Sequence, residues 1–447
     1  MQRPLPRAAF LQAETYASTR LPVDHATSLV PDAYTSAEFH ALEQERLFAR
    51  NWVPVCLDAE LADGGHFKVV EVAGRSIIVC RNGNGELRAY HNVCRHRGAR
   101  LCDGAGRVDR LLQCPYHGWA YDLDGNCRGT PHFTTSMLAP DATFDRADMG
   151  LYPARGEKWA FLVFVCLDPE APGLADALGD LPGRLAGYPL EGFRVARRQE
   201  YSVAANWKLI AENFVEYLHL PLIHPALVPV SPVEAHYRWQ GTGKYVELCT
   251  WPVGSDTKEG GWKRLSPAPG VQGQDAEAAR FAWIFPTAGI SVTANHVFVL
   301  MARPQEPDRT SETALILTHP DSVAASPDAE ADIDALFRFW DTINREDIAI
   351  VERTQDGMRN PAYTGGRMCH RFEESCHRIQ NMVIDAMLGV VRVPEGDDAE
   401  TAHRFGPPEG ERWAGSSGRR HTVRNVAERP RQLWPRALLP LHQHVPR

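Results

Sequence analysis

Long apolar runs are missing from this 447-residue chain. The longest stretch without a polar residue covers 159–167, against the roughly 20 residues a membrane helix needs, so no spanning helix is expected. The N-terminus, MQRPLPRAAFLQAETYASTR, lacks an apolar core and carries Glu14 early. No signal peptide is expected there, and the expected location is the cytoplasm. A basic excess is missing too: 48 Lys and Arg against 56 Asp and Glu leave a net charge of −8, which argues against a dedicated nucleic-acid binder. Cysteine is sparse, ten residues in all, too few for a disulfide scaffold in a chain this long. There is no Gly-rich dinucleotide fingerprint, no C-x4-C-x2-C spacing and no internal repeat. What remains is ordinary globular composition, 44% hydrophobic and 23% charged, with length for two or three domains.

Apolar positions Phe39, Leu42, Leu47 and Phe48 recur at helical spacing and predict a helix over 37–50. From Phe67 onward the text becomes short β-rich runs broken by Gly and Asn-Gly turns, ending in the buried-strand pattern WAFLVFVCL. After a Pro- and Gly-punctuated connector, a strand is predicted over 197–204 and a helix over 207–218, stopped near Pro221. Strands return in FAWIF, HVFVLMA and TALILTH, and two helices follow, over 329–357 and 372–388. The last residues are rich in Arg and Pro, with eight Arg against one acidic residue over 412–447, and read as a mobile tail. The expected division is an N-terminal helical segment (1–47) packing on the last folded domain, a β-rich domain (48–167), that second domain (168–393) and the tail (394–447).

Two of the ten cysteines alternate with histidines. In HNVCRHRGARLCDGAGRVDRLLQCPYHGW, Cys94-x-His96 is followed after 17 residues by Cys114-x2-His117. Each short spacing aims two side chains at one centre, and two thiolates with two imidazoles suit either tetrahedral zinc or a [2Fe–2S] cluster. Structural zinc sites usually draw two Cys from one loop and two His from another. Here each loop supplies one of each, which distributes naturally over two irons.

A second constellation lies in NWKLIAENFVEYLHLPLIHP. Glu216 and His219 are three apart, on one face of the predicted helix, and His224 follows in a segment that Pro221 and Pro225 force out of regular helix. Two imidazoles and one carboxylate around Fe(II) leave a vacant face for O2 and substrate. The carboxylate follows from periodicity. Taking Trp340 as zero and advancing about 100° per residue, Leu336, Phe337, Ile343 and Val351 fall within about 60° and Asp347 at about −20°. A carboxylate inside an apolar stripe must be paired or bound to metal. Glu346 falls outside the stripe.

CPYHGW and its strand-rich surroundings resemble the Rieske family, specifically the Rieske domain of ring-hydroxylating and related non-heme iron oxygenases. The high-potential Rieske proteins of respiratory chains carry an extra Cys per loop, whereas this chain has Ala99 and Pro115-Tyr116 there. The NWK…EN…H-x4-H block resembles the oxygenases' catalytic motif, and the resemblance spans about 35–390. It implies an α+β protein: an all-β Rieske [2Fe–2S] domain and a catalytic domain whose antiparallel sheet is flanked by helices, helix-grip or START-like. It implies a cluster on Cys94, His96, Cys114 and His117, and a mononuclear Fe(II) on His219, His224 and Asp347. Glu216 matches the family's bridging carboxylate and Asn213 its nearby Asn. The bridging residue is commonly Asp in ring dioxygenases, and Glu here is as in choline-, betaine- and carnitine-type monooxygenases, which FWDTINREDIAIVERTQDGM also resembles. Leu218 stands where the family often has Tyr. A homotrimer is implied, with Glu216 linking His219 to His117 of a neighbour, and a separate flavin- and ferredoxin-type reductase supplies electrons.

The expected function is therefore that of an oxygenase component that uses O2 to hydroxylate or N-demethylate a small molecule, foremost a quaternary ammonium compound. An aromatic-ring substrate is the alternative, and an electron-transfer protein without oxygenase activity or a zinc-bound structural module the readings from other classes. The aromatics Tyr237, Trp239, Tyr245, Trp251, Trp262, Phe281, Trp283 and Phe285 lie in strand-like sequence, where core packing is the commoner use, and offer a cation–π cage or, equally, an apolar pocket for an aromatic ring.

Overall fold

The computed structural model describes residues 4–131, 133, 144–251, 264–370, 372–398 and 400–401. The Arg-rich tail beyond residue 401 and Trp262 lie outside them.

After the N-terminal helical residues, the first domain is built of strands, as expected. Strands β1 (Val53–Leu57), β2 (His66–Val72), β3 (Arg75–Arg81), β4 (Leu87–His91), β5 (Ala105–Arg107), β6 (Leu111–Gln113), β7 (Ala120–Asp122), β8 (Cys127–Gly129), β9 (Pro153–Trp159) and β10 (Leu162–Cys166) follow one another. They form a seven-stranded antiparallel sheet, β1-β10-β9-β4-β3-β2-β5, and a three-stranded one, β6-β7-β8. Ala73 and Gly74 close the β2–β3 hairpin at φ 52° and 67°, the two-residue turn whose twist matches that of the flanking strands. The smaller sheet and the loops between β4 and β7 carry Cys94, His96, Cys114 and His117.

The second half is a seven-stranded antiparallel sheet built from β11 (Arg194–Val203), β12 (His236–Arg238), β13 (Tyr245–Thr250), β14 (Ala279–Ile284), β15 (Ala288–Val292), β16 (His296–Glu306) and β17 (Arg309–Thr318), in the order β11-β17-β16-β15-β14-β13-β12. Three helices matter to the site: α1 (Trp207–Phe214), α2 (Ala329–Met358) and α3 (Glu374–Leu388). Alternation splits the strands between two cores. Phe298, Leu300, Ala314 and Ile316 face one cluster with Trp340, Val351 and Ile379, while Val297, Val299, Leu315 and Leu317 face another with Phe164 and Leu181. β10 contributes to both, Val163 and Val165 to the first and Leu162 and Phe164 to the second, so the two halves share their apolar interior.

The α1 helix starts on Asn206, whose side chain accepts from the Lys208 N–H. It stops at Phe214 rather than continuing to Leu218 as the periodicity suggested. Val215 leaves helical geometry, and the Glu216 carboxylate takes the Leu218 N–H that the next turn would have needed. Glu216 and His219 therefore meet across a turn, not along a helix face. The helix over 37–50 is present but changes winding, α-helical to Leu42, π-type over Glu43–Leu47 and then 3-10.

That segment places Glu43 against α1. The Lys208 ammonium donates to its carboxylate at 2.6 Å and the Trp207 indole at 3.1 Å, with both members of the ion pair fully buried. Burial pushes the Glu43 carboxyl up and the Lys208 ammonium down from their ordinary values, each opposed by its partner. Further along, Tyr34 donates to Glu212 at 2.7 Å and Gln380 accepts from the Leu29 N–H at 2.9 Å. The N-terminal residues are thus bound to α1 and α3 through buried polar groups. Replacing Lys208 by Met strands the Glu43 carboxylate and is expected to cost about 3–5 kcal/mol of stability, as breaking a buried pair does. The double variant E43Q/K208M, which keeps an acceptor for Trp207, should recover most of the loss in calorimetric unfolding.

Candidate metal centres

The two Cys/His loops share one backbone design. The Cys94 N–H donates to the Ala99 carbonyl at 2.8 Å, and Gly98 N–H returns to Cys94 at 3.0 Å. The Cys114 N–H donates to Trp119 at 2.7 Å, and Gly118 returns to Cys114 at 3.0 Å. Gly98 and Gly118 sit at φ 75° and 70°, where a β-carbon would be strained. Each loop therefore aims one thiol and one imidazole inward. The rings of His96 and His117 lie 4.6 Å apart, and His96 stacks on Trp119. Both cysteines are 2% exposed. Burial pushes the Cys94 thiol up, and Cys114 beside it adds to that.

The Nδ1 atoms of both histidines are buried with no hydrogen-bond partner. Buried ring nitrogens are rarely left so, and ligation by a cluster satisfies them. The four residues fit a Rieske [2Fe–2S] group, two thiolates for one iron and two imidazoles for the other. Tyr121 supports the loop, its hydroxyl accepting from the Arg95 N–H at 3.0 Å and lying 3.3 Å from the Cys94 sulfur.

The second constellation assembles at one end of α1. His219 and His224 flank the one-turn helix Leu220–Ile223, which Pro221 opens. The turn brings their rings to 5.1 Å centroid separation, opposite Asp347 on α2. One ligand atom from each of His219, His224 and Asp347 lies within 4.8 Å of the others. Carboxylates hold the far side of both rings: His219 Nδ1 donates to Glu216, and His224 Nδ1 to Glu346 at 2.7 Å. A carboxylate can only accept, so each ring donates its Nδ1–H outward and presents Nε2 inward, 3.5 Å (His219) and 2.9 Å (His224) from Asp347 Oδ1. Asn213 donates to the same Asp347 oxygen at 2.8 Å and fixes the carboxylate. Two neutral imidazoles and one carboxylate on a common centre fit a divalent metal with open positions. On its own the His224 imidazole is pushed down by burial, but Asp347 and Glu346 outweigh burial and raise it.

The centre opens into a cavity between the sheet and helices α1 and α2. Phe214, Phe281, Phe298, Phe339 and Trp340 wall it, with Glu312 from β17 among the polar lining. The aromatic set named from the sequence divides here. Of Tyr237, Trp239, Tyr245, Trp251, Phe281, Trp283 and Phe285, Phe281 alone lines the cavity. Tyr245 donates to Asp180, Trp239 stacks under Arg184, and Trp283 is bonded to the Pro286 carbonyl. Their strand register or loop position turns them elsewhere. Glu346 is the residue that periodicity set aside: lying about 100° around α2 from Asp347, it reaches the outer nitrogen of His224 instead of the centre.

Residues 190–389 match the family of the ring-hydroxylating alpha subunit catalytic domain, and residues 51–140 match the Rieske [2Fe-2S] domain family. The chain thus joins a Rieske domain to a ring-hydroxylating alpha catalytic domain. The oxygenase's cofactors are accordingly a Rieske [2Fe–2S] cluster and a mononuclear iron, and it is an oxidoreductase that uses molecular oxygen. The glycine betaine monooxygenase oxygenase subunit of Chromohalobacter salexigens is 29% identical over 397 residues, covering 82% of this chain and 86% of that one. The carnitine monooxygenase oxygenase subunit of Escherichia coli is 29% identical over 337 residues, covering 74% and 84%. In fold, the oxygenase is similar to a quaternary ammonium Rieske monooxygenase solved with L-carnitine (TM-score 0.68, 22% identity, 88% of this chain and all of that one). It is similar also to naphthalene 1,2-dioxygenase from Rhodococcus (TM-score 0.69, 20% identity, 85% and 99%). No helix among the described residues is long and apolar enough to cross a membrane.

The Glu346 contact generates a prediction. Outer carboxylates on ligand imidazoles are typically worth about 10–100-fold in metal affinity. Glu346→Ala should lower retention of the mononuclear iron to that extent, read by competitive chelation, with the visible spectrum of the cluster unchanged.

Proposed function

We propose that this oxygenase hydroxylates or N-demethylates a small quaternary ammonium compound. The observation that carries this reading is the cavity beside His219, His224 and Asp347, walled by Phe214, Phe281, Phe298 and Trp340 and holding no Lys or Arg among its described lining residues. Aromatic faces and acidic side chains suit a methylated cation, and the curated relatives named above act on glycine betaine and carnitine.

In this proposal Cys94, His96, Cys114 and His117 hold the cluster, and His219, His224 and Asp347 hold the iron. When bound, the two groups supply electron storage and oxygen activation. The protein's residues do the rest. Glu216 and Glu346 accept hydrogen bonds from Nδ1–H of His219 and His224 and keep both rings turned inward. Asn213 holds one oxygen of Asp347 in place. The apolar walls exclude water from the reacting methyl group. Glu216 has a second task in a homotrimer, where its carboxylate on His219 also reaches His117 of a neighbouring subunit. Electrons come from a separate flavin- and ferredoxin-type reductase, and the cytoplasm keeps the thiols reduced.

An aromatic ring is the second reading, favoured by the same phenylalanine and tryptophan walls and by the fold of naphthalene dioxygenase. Oxygen uptake with a generic reductase across glycine betaine, carnitine, choline and benzoate separates the two. Uptake with a methylammonium compound, with formaldehyde or another cleavage product at matching stoichiometry, is expected. Uptake with benzoate alone sinks the quaternary ammonium reading. Glu216→Gln should abolish product while the EPR signal of the reduced cluster persists, and undiminished turnover would refute the bridging role.

A further inference from the structure

Glu312 is a buried acid that the metal centre does not use. It sits in β17 between Tyr201 of β11 and Ala302 of β16, on the sheet face that carries Ala314 and Ile316 toward α2. It is 1% exposed, yet it lines the cavity together with His219, His224, Asp347 and the aromatic walls. Strand periodicity alone would place an apolar residue there.

Its surroundings do not balance its charge. Asn344, one turn before Asp347 on α2, donates to Glu312 Oε2 at 3.0 Å. The charged groups that act on the carboxylate are Asp347 and Glu352, both negative. Two other buried acids of the oxygenase have cations beside them: Glu43 has Lys208 at 2.6 Å and Glu247 has Arg184 at 2.8 Å. Burial pushes the Glu312 carboxyl up to about 7, Asn344 holds it down, and Asp347 and Glu352 add to the rise. A buried carboxylate without a cation is costly, and an apolar side chain of similar volume would have filled the same space. A cation arriving in the cavity removes that cost. Asp347 does not supply the need, because its oxygen is already shared by His219, His224 and Asn213.

We propose that Glu312 is the counter-charge for the cationic head of the substrate, drawing it into the cavity against Trp340, Phe298 and Phe281. This assignment rests on the quaternary ammonium reading above. Trp340 and Phe298 are stacked in parallel at 4.4 Å, with Phe281 at 6.5 Å from Trp340, so the aromatic side of the pocket is set before any ligand enters. Methyl groups pack on such faces, while the full charge is met by the carboxylate. Glu312 is thereby a specificity residue, which sorts a trimethylammonium group from an uncharged tert-butyl group of equal shape.

The test uses full-length, iron-loaded protein without oxygen, and titration calorimetry. Glycine betaine and choline are compared with their carbon isosteres, 3,3-dimethylbutyrate and 3,3-dimethylbutan-1-ol, in wild type and Glu312→Gln. Gln keeps an acceptor for Asn344 and removes the charge. Wild type is expected to bind at least one of the two cations at least tenfold more tightly than its isostere. In E312Q that preference should vanish, with binding of the isostere and iron content unchanged. Wild type that binds neither cation more tightly than its isostere overturns the quaternary ammonium reading and the assignment with it. Preference in wild type that survives intact in E312Q overturns the role of Glu312 alone. If E312Q does not fold, Glu312→Met, apolar and of similar volume, is read by the same two criteria.

Discussion

The contact on which the site depends is made by Trp340. Its indole stacks flat on Phe298 of the sheet and donates to His296 Nε2 at 2.8 Å. His296 can accept because complete burial pushes its imidazolium down to about 3, leaving the ring neutral. A flat stack and a directed hydrogen bond together fix both the rotation and the height of α2 over the sheet. Asp347 lies seven residues further on, about two turns, and so emerges on the same side. A helix held only by a smooth aliphatic stripe could slide or rotate, and the carboxylate would leave the centre that His219 and His224 define.

Around that anchor the protein sets a group of acids, some buried and some half-buried, each with a different partner. Glu43 meets an ammonium, Glu247 a guanidinium, Glu212 a phenol and an amide, and Glu216 and Glu346 meet imidazoles. The partner decides the consequence. Opposite charges lock the N-terminal segment onto α1, whereas carboxylates behind imidazoles set which ring nitrogen faces the centre. Glu312, met among the described residues by the Asn344 amide alone, is left to respond to what enters the cavity.

The two halves are coupled mechanically. β10 contributes alternate side chains to two apolar clusters that both reach the second sheet, and Lys244 and Trp52 add hydrogen bonds to Asn51 and to the Pro172 carbonyl. Such a shared interior holds the two metal-binding regions of one chain in a fixed relation.

The sequence, through its motifs and their resemblance to a family, pointed to the family, the two candidate ligand sets and most elements. Cys94 with His96, Cys114 with His117, and His219 with His224 lie on short segments whose geometry is local, and Asp347 could be placed by the period of its own helix. Tertiary structure decided what crosses between elements. The end of α1 at Phe214 follows from the Glu216 side chain capturing a backbone N–H. Glu346 is behind His224 because two elements meet at one angle. The aromatic walls come from Phe214, Phe298, Phe339 and Trp340 rather than from most of the neighbouring strand aromatics, since facing depends on register. Glu312 drew no notice among alternating strand residues, because whether a buried acid has a cation beside it is a property of packing. Local periods tell which residues share a face, and only the folded sheet tells what that face meets.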